Sequence, residues 1–197
     1  MEFVDDAIVI EKEPSELDEL VLDVTSILED LGIQYAVVSG YVAVLLGRSR
    51  ATEDIDVITE SFPESTADEL ASHLRDAGFW GSAMPLDSMH EMLADGSIIR
   101  IADDGHRVPN VELKFATDEY DRTSLSNTIA IRLNDHELRT GELELQIAYK
   151  LYLGAQKDFE DAVYLYELAE PTLNKQKLES YAEDLDVRTE YERLTGV

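Results

Sequence analysis

Two aspartates one residue apart, Asp54-Ile55-Asp56, are the residues of this chain best placed to do chemistry. They belong to an alternating stretch, residues 54–58, that reads as a β-strand, and on a strand residues i and i+2 project from one face. Like charges that close raise each other's proton affinity unless a cation lies between them. Carboxylate oxygens are hard ligands, so the cation they suit is Mg²⁺ or Mn²⁺. A metal pair held in this way binds triphosphate oxygens and activates an attacking hydroxyl for in-line displacement. Upstream, separated from the pair by thirteen residues, stands Val38-Ser39-Gly40. Gly40 lets the backbone come close to a phosphate, and a helix starting near Tyr41 would offer it free N–H groups.

The hydrophobic pattern supplies the elements that must position these residues. Leu17, Leu20, Val21, Val24, Ile27, Leu28 and Leu31 recur at steps of three and four, which predicts a helix opened by Pro14-Ser15 and closed by Gly32. Residues 33–38 form an apolar run that reads as a buried strand, Ser39-Gly40 as a turn, and 41–47 as a short buried helix. A polar loop, 48–53, then leads into the aspartate strand. Helices are expected over 64–77 and around 88–93, and strands over 97–102, 108–115 and 127–133, the first two joined by an Asp-Asp-Gly turn at 103–105 and the third following a loop. From Gly141 the composition turns helical, with a breaker at Pro171. The expectation is a mixed α/β (α+β) fold, a sheet flanked by helices over 1–140, with a helical C-terminal region, 141–197, packed on it.

Composition narrows the function classes. Among 197 residues, 43 are Asp or Glu and 16 are Lys or Arg, giving a net charge of −27, while 44% apolar residues still allow a sizeable core. The chain has no cysteine, which excludes a disulfide scaffold, a thiolate zinc site and a cysteine nucleophile. No apolar run approaches the roughly 18 residues of a membrane span. The acidic first residues lack the order of a signal peptide, so a soluble, cytoplasmic protein is expected. The acids are spread evenly, as in proteins adapted to a very salty cytoplasm. At molar salt the screening length falls to about 3 Å, so the charge that would ordinarily oppose nucleic-acid binding loses its force. The four histidines at 73, 90, 106 and 136 are scattered and read as surface or loop residues. Tyr149 and Tyr152, three apart in the helical tail, read as core.

Gly40 followed by Arg50-Ala51-Thr52-Glu53-Asp54-Ile55-Asp56-Val57 resembles the nucleotidyltransferase superfamily of the DNA polymerase β type, whose signature is Gly-Gly or Gly-Ser, a spacer, then Asp-x-Asp or Asp-x-Glu. More narrowly, it is similar to the minimal nucleotidyltransferases grouped with AbiEii-type toxins. Lys150 with Lys157-Asp158-Phe159-Glu160-Asp161 is similar to a Lys…Lys-Asp-x-x-Asp helical motif of that group, and the resemblance spans about 30–170. Ser39 stands where the family has its first glycine.

The resemblance implies an enzyme that moves an NMP from an NTP to an acceptor hydroxyl, on an RNA 3′ end such as tRNA or on a protein side chain, and releases pyrophosphate. It implies Mg²⁺ or Mn²⁺ on Asp54 and Asp56, completed by a third carboxylate on a later strand. Glu112, in the alternating segment Val111–Phe115, is the candidate; the alternative is a solvated glutamate on a strand face. Ser39 and Gly40 would hold the triphosphate, with Arg50, Lys150 and Lys157 as cations around it, and an antitoxin is the implied partner. On one continuous helix, positions 150, 157 and 161 would return to within about 20° of one face, provided Gly154 does not break it. Arg50 would contact phosphate or hold the aspartate strand through a carboxylate fork, or else simply balance local acids; Lys157 and Asp161 would otherwise be a surface pair. The competing reading, kept open by Ser39, is a catalytically weak nucleotide- or partner-binding protein with the same fold.

Overall fold

The computed structural model describes residues 1–4 and 7–196, so Val197 and the acidic pair Asp5-Asp6 lie outside the described residues. In chain order the elements are β1 (Glu2–Val4), β2 (Ala7–Ile10), α1 (Glu16–Asp30), β3 (Tyr35–Val38), α2 (Gly40–Leu45), β4 (Asp54–Thr59), α3 (Glu64–Asp76) and β5 (Phe79–Gly81). A single 3₁₀ turn leads into α4 (Met89–Ala94), followed by β6 (Ile99–Asp103), β7 (Asn110–Phe115), α5 (Glu119–Ser126), β8 (Thr128–Leu133) and β9 (His136–Gly141). Four helices close the chain: α6 (Leu143–Leu153), α7 (Gln156–Ala169), α8 (Lys175–Asp184) and α9 (Arg188–Thr195). The strands join in one mixed sheet of nine, in the order β1-β2-β8-β9-β3-β4-β7-β6-β5.

The two faces of the central strands have different fates. Val37, Ile55, Val57, Val111 and Leu113 point into the main core with Val21, Val24 and Leu28 of α1 and Leu70 and Leu74 of α3. The alternate residues Ala36 and Ile58 pack under Leu125 of α5 in a small separate cluster. Along β4 that second face continues from Ile58 to Asp56 and Asp54. One strand thus serves the core with its odd residues and presents its even residues to a partly covered, polar face. The C-terminal helices share the main core: Leu143, Ile147 and Leu151 of α6, Leu165 of α7 and Leu178 of α8 belong to the same cluster as the sheet.

A buried carboxylate ties α1 to α2. Ser15 caps α1 and forms a capping box with Asp18, whose other oxygen accepts a 2.6 Å hydrogen bond from the hydroxyl of the fully buried Tyr41. Lys12 reaches Asp18 at 2.8 Å. Tyr41 is the second residue of α2, so this contact fixes the helix that follows the Ser39-Gly40 turn.

The structure departs from the sequence expectations in places where short elements lacked a periodic signal. Residues 119–126, expected as a loop, form α5, capped by Asp118, whose side chain accepts the Asp121 amide. β1 and β2, β5 and β9 are additional strands. The helical tail is broken at Gly154, which takes a left-handed φ of 70° and ends α6. The one-helix alignment of positions 150, 157 and 161 therefore does not exist; α7 packs back on α6 instead.

Asp18→Ala is expected to lower the unfolding free energy by about 3 kcal/mol, because it leaves the Tyr41 hydroxyl buried without an acceptor. Burial pushes the Asp18 carboxyl up, but Lys12, Tyr41 and Ser15 together hold it below the usual carboxylate range. Its contribution is thus present above the unfolded-state pKa and lost as pH falls through the folded one. Denaturant titrations at pH 7 and in acid should show the variant losing less stability on acidification than the parent.

Candidate active site

Strand register alone assembles the site. β4 and β7 are parallel neighbours in which Asp54 faces Asn110 and Asp56 faces Glu112. β3 runs antiparallel on the other side of β4 with Val38 opposite Asp56, so the Ser39-Gly40 turn begins beside that carboxylate. β6 completes the row by setting Arg100 opposite Glu112. The two aspartates, the glutamate and the turn are therefore brought together. Asp54 is exposed and accepts a 2.9 Å hydrogen bond from the Asn110 side-chain amide. Glu112 accepts at 2.8 Å from Arg100 Nε. At Asp56 burial pushes the carboxyl up, Ser39 opposes this, the charges of Glu112 and Asp54 push it further, and Lys150 pulls it back.

The turn is strained and held. Ser39 has φ 68° and ψ −136°, close to a region that glycine nearly monopolises and that costs other residues about 1–3 kcal/mol. Its amide donates to the Gln146 side-chain carbonyl at 3.1 Å, and the Gln146 amide nitrogen donates to the Gly141 carbonyl at 2.8 Å. Packing gives Gly40 a reason of its own to be bare. A Cβ there would lie 2.3 Å from Arg50 Nη2, so the missing side chain makes room for the guanidinium.

Arg50 takes the carboxylate-fork arrangement. Its Nε and Nη2 donate to the two oxygens of Asp161 at 3.0 Å each, and Nη1 donates to the Ala51 carbonyl. Asp161 is fully buried and also pairs with Arg48 and Lys150 at 2.9 Å. The buried Lys150 ammonium reaches Asp158 at 2.9 Å as well. The loop before β4 is thereby bolted to α7, and Lys150 of α6 lies at the junction. Lys157 is placed apart: it is exposed on α7, and the cations on Asp161 among the described residues are Arg48, Arg50 and Lys150.

A cleft of about 200 Å³ opens over the site, lined by Ser39, Asp56, Gln146 and Lys150 and, further along, by Lys114, Tyr120, Asp121 and Tyr149. Lys114 donates to both oxygens of Asp121 at 2.8 and 3.0 Å. Tyr149 is half-buried in the cleft, and its ring centroid lies 5.6 Å from that of Tyr152 and 6.1 Å from that of Tyr120. The core reading fails for Tyr152, which is 55% exposed, because α6 ends one residue later and its last turn projects beyond the packed layer. Sequence reasoning also missed Lys114, Asp121, Asn110 and Gln146 as site residues. Lys114 was findable as the residue two past Glu112 on the same strand; Gln146 carried no signal.

The donor set suits a hard divalent cation. Asp54 and Asp56 offer adjacent carboxylates whose mutual repulsion a cation would relieve, and the buried Asn110 Oδ1 beside them has no hydrogen-bond partner. As the side chains stand, no group of three or more His, Asp or Glu residues among the described ones is gathered closely enough to hold a metal. Glu112 would complete a set by turning from Arg100.

The architecture is that of nucleotidyltransferase-like proteins, a large mixed sheet flanked by helices with helices at the C-terminus. The crystal structure of an antigenic nucleotidyltransferase-like protein from Paracoccidioides brasiliensis matches with a TM-score of 0.53 at 23% identity, over 84% of this chain and 85% of that one. The antibiotic-resistance factor ANT(2'')-Ia matches in its solution structure with a TM-score of 0.50 at 14% identity, covering 92% of this chain and 97% of that one. Its crystal structure in complex with adenylyl-2"-tobramycin also scores 0.50, at 15% identity, over 87% and 97% of the two chains. No protein-family model and no curated protein sequence matches the chain.

Asp161→Asn is expected to cost about 3–5 kcal/mol, since it strands buried cations, and should be visible as a lowered denaturation midpoint. Asp56→Asn should act in the opposite sense. A carboxyl whose folded pKa is raised favours folding below its unfolded pKa and loses that contribution as pH rises through the folded value. The amide variant should therefore be more stable than the parent at pH 7 without divalent cations, and the gain should vanish in acid, as read by urea unfolding at the two pH values.

Proposed function

We propose that this chain is a divalent-cation-dependent nucleotidyltransferase that moves a nucleoside monophosphate from an NTP to an acceptor hydroxyl and releases pyrophosphate. The observation that carries the reading is the register pairing of Asp56 with Glu112, with Asp54 on the same face and the Ser39-Gly40 turn alongside. Asp54 and Asp56 would hold Mg²⁺ or Mn²⁺, joined by Glu112; when bound, the cation supplies charge neutralisation on the triphosphate and acidifies the acceptor hydroxyl. Glu112 would accept the hydroxyl proton. The acceptor oxygen forms its bond to the α-phosphorus as the bond to the pyrophosphate oxygen breaks. Ser39 would hold the triphosphate against the turn, and the buried Lys150 ammonium sets positive charge at the edge of the cleft where that negative charge gathers. Arg50 serves by fixing the loop that feeds the aspartate strand. Lys157 is carried by the resemblance alone.

A neighbour in fold, ANT(2'')-Ia, was captured with an adenylylated acceptor, which supports a donor nucleotide and a hydroxyl acceptor as the two substrates. The resemblance to AbiEii-type proteins makes an RNA 3′ end, tRNA first, or a protein side chain the acceptor to try, and an antitoxin the partner to look for. One observation favours a binding-only protein: Glu112 is already paired with Arg100.

The test is incubation with each labelled NTP, MgCl₂ and RNA or lysate at molar KCl, following both pyrophosphate and label. Transfer is expected, and Asp56→Asn should reduce it by more than about 100-fold, beyond what loss of an outer-shell partner costs, with the fold intact by circular dichroism. Metal-dependent nucleotide binding without pyrophosphate release would favour the binding-only reading.

A further inference from the structure

We infer that Gln146 is a positioning residue that locks the strained Ser39 turn and so holds the Ser39 side chain in the cleft that Asp56 also lines; its catalytic consequence rests on the proposed nucleotidyl transfer. Three observations converge. Ser39, a residue with a Cβ, sits at φ 68° and ψ −136°, and no side-chain cap bond of its own supports it. Its amide donates to the side-chain carbonyl of Gln146, 107 residues away in sequence. Gln146 is itself 5% exposed and cannot swing freely, because its amide nitrogen is spent on the Gly141 carbonyl at the end of β9.

The orientation of the Gln146 amide follows from this geometry. With the nitrogen on a carbonyl and the oxygen toward an N–H, both ends of one side chain are used, and a flipped amide would break both bonds. The peptide N–H of Ser39 is thus aimed at α6. With the backbone fixed, the Ser39 side chain is left to line the cleft together with Asp56. A glycine at position 39 would take this conformation without help; a serine requires the brace. Gln146 therefore compensates on α6 for the serine at the turn, and the two residues form one functional unit across the β3–α6 contact.

A double-mutant cycle tests the unit. Gln146→Met keeps volume and removes both hydrogen bonds; Gln146→Glu keeps an acceptor for the Ser39 amide. In the parent, hydrogen exchange of the Ser39 amide should be slow. Gln146→Met should speed it about tenfold, the factor expected for one lost buried hydrogen bond, while exchange in β7 is unchanged. Nucleotidyl transfer should fall through kcat more than KM. In a Ser39→Gly background the further change Gln146→Met should cost several-fold less than it does with serine in place. Gln146→Glu should retain slow Ser39 exchange. Equal losses in both backgrounds, or Ser39 exchange unaffected by Gln146→Met in folded protein, would overturn the inference. If the parent shows no transfer at all while the exchange pattern holds, the lock stands and the functional reading falls.

Discussion

Asp161 is the interaction on which the site depends. A carboxylate with no solvent exposure is tolerable only because Arg48, Arg50 and Lys150 surround it, and these cations come from two separate parts of the chain. Arg48 and Arg50 belong to the loop that delivers β4; Lys150 belongs to the helix that walls the cleft. The bareness of Gly40 is part of the same arrangement, since Arg50 fills the space a side chain would take. One buried charge therefore decides where the aspartate strand begins, where α6 and α7 meet, and why the turn must contain a glycine.

The sheet converts that anchoring into chemistry through parity. Even residues of β4 and β7 share one face of the sheet and odd residues face the core, so a shift of one residue would turn Asp56 of β4 or Glu112 of β7 toward the core. The apolar odd residues thus protect the register of the carboxylates. The same face that carries acids at one end carries Ile58 at the other, beneath Leu125 of α5 and beside Lys114.

Much of this was legible in the sequence. The aspartate strand, the helix closed by Gly32 and the strand position of Glu112 follow from period-two and period-3.6 patterns that tertiary contacts reinforce, while the Ser39-Gly40 turn follows from its residue types. What was not legible falls into two kinds. Short edge strands and α5 have too few residues to show a period; α5 is announced by an Asp118 cap and little else. Ser39, which donates to Gln146, and Arg50, which forks onto Asp161, lie 107 and 111 positions from their partners, and a side chain's long-range partner leaves no trace in local pattern. Gly154 was visible as a breaker, yet its effect was the reverse of a simple loss: by ending α6 it lets α7 fold back and bring Asp158 and Asp161 onto Lys150, whereas a straight helix would have left them about 12 and 16 Å along its axis.

Both margins of the nine-stranded sheet end in strands of only three residues, β1 and β5. A sheet margin is an open row of backbone donors and acceptors, and a long flat one invites a second molecule to add a strand. For a chain this acidic, mutual repulsion keeps copies apart in dilute buffer, but concentrated electrolyte removes that safeguard. Brief margins remain effective at any ionic strength, so protection against edge-to-edge aggregation is built into the outline of the sheet and does not lapse when the charges are screened.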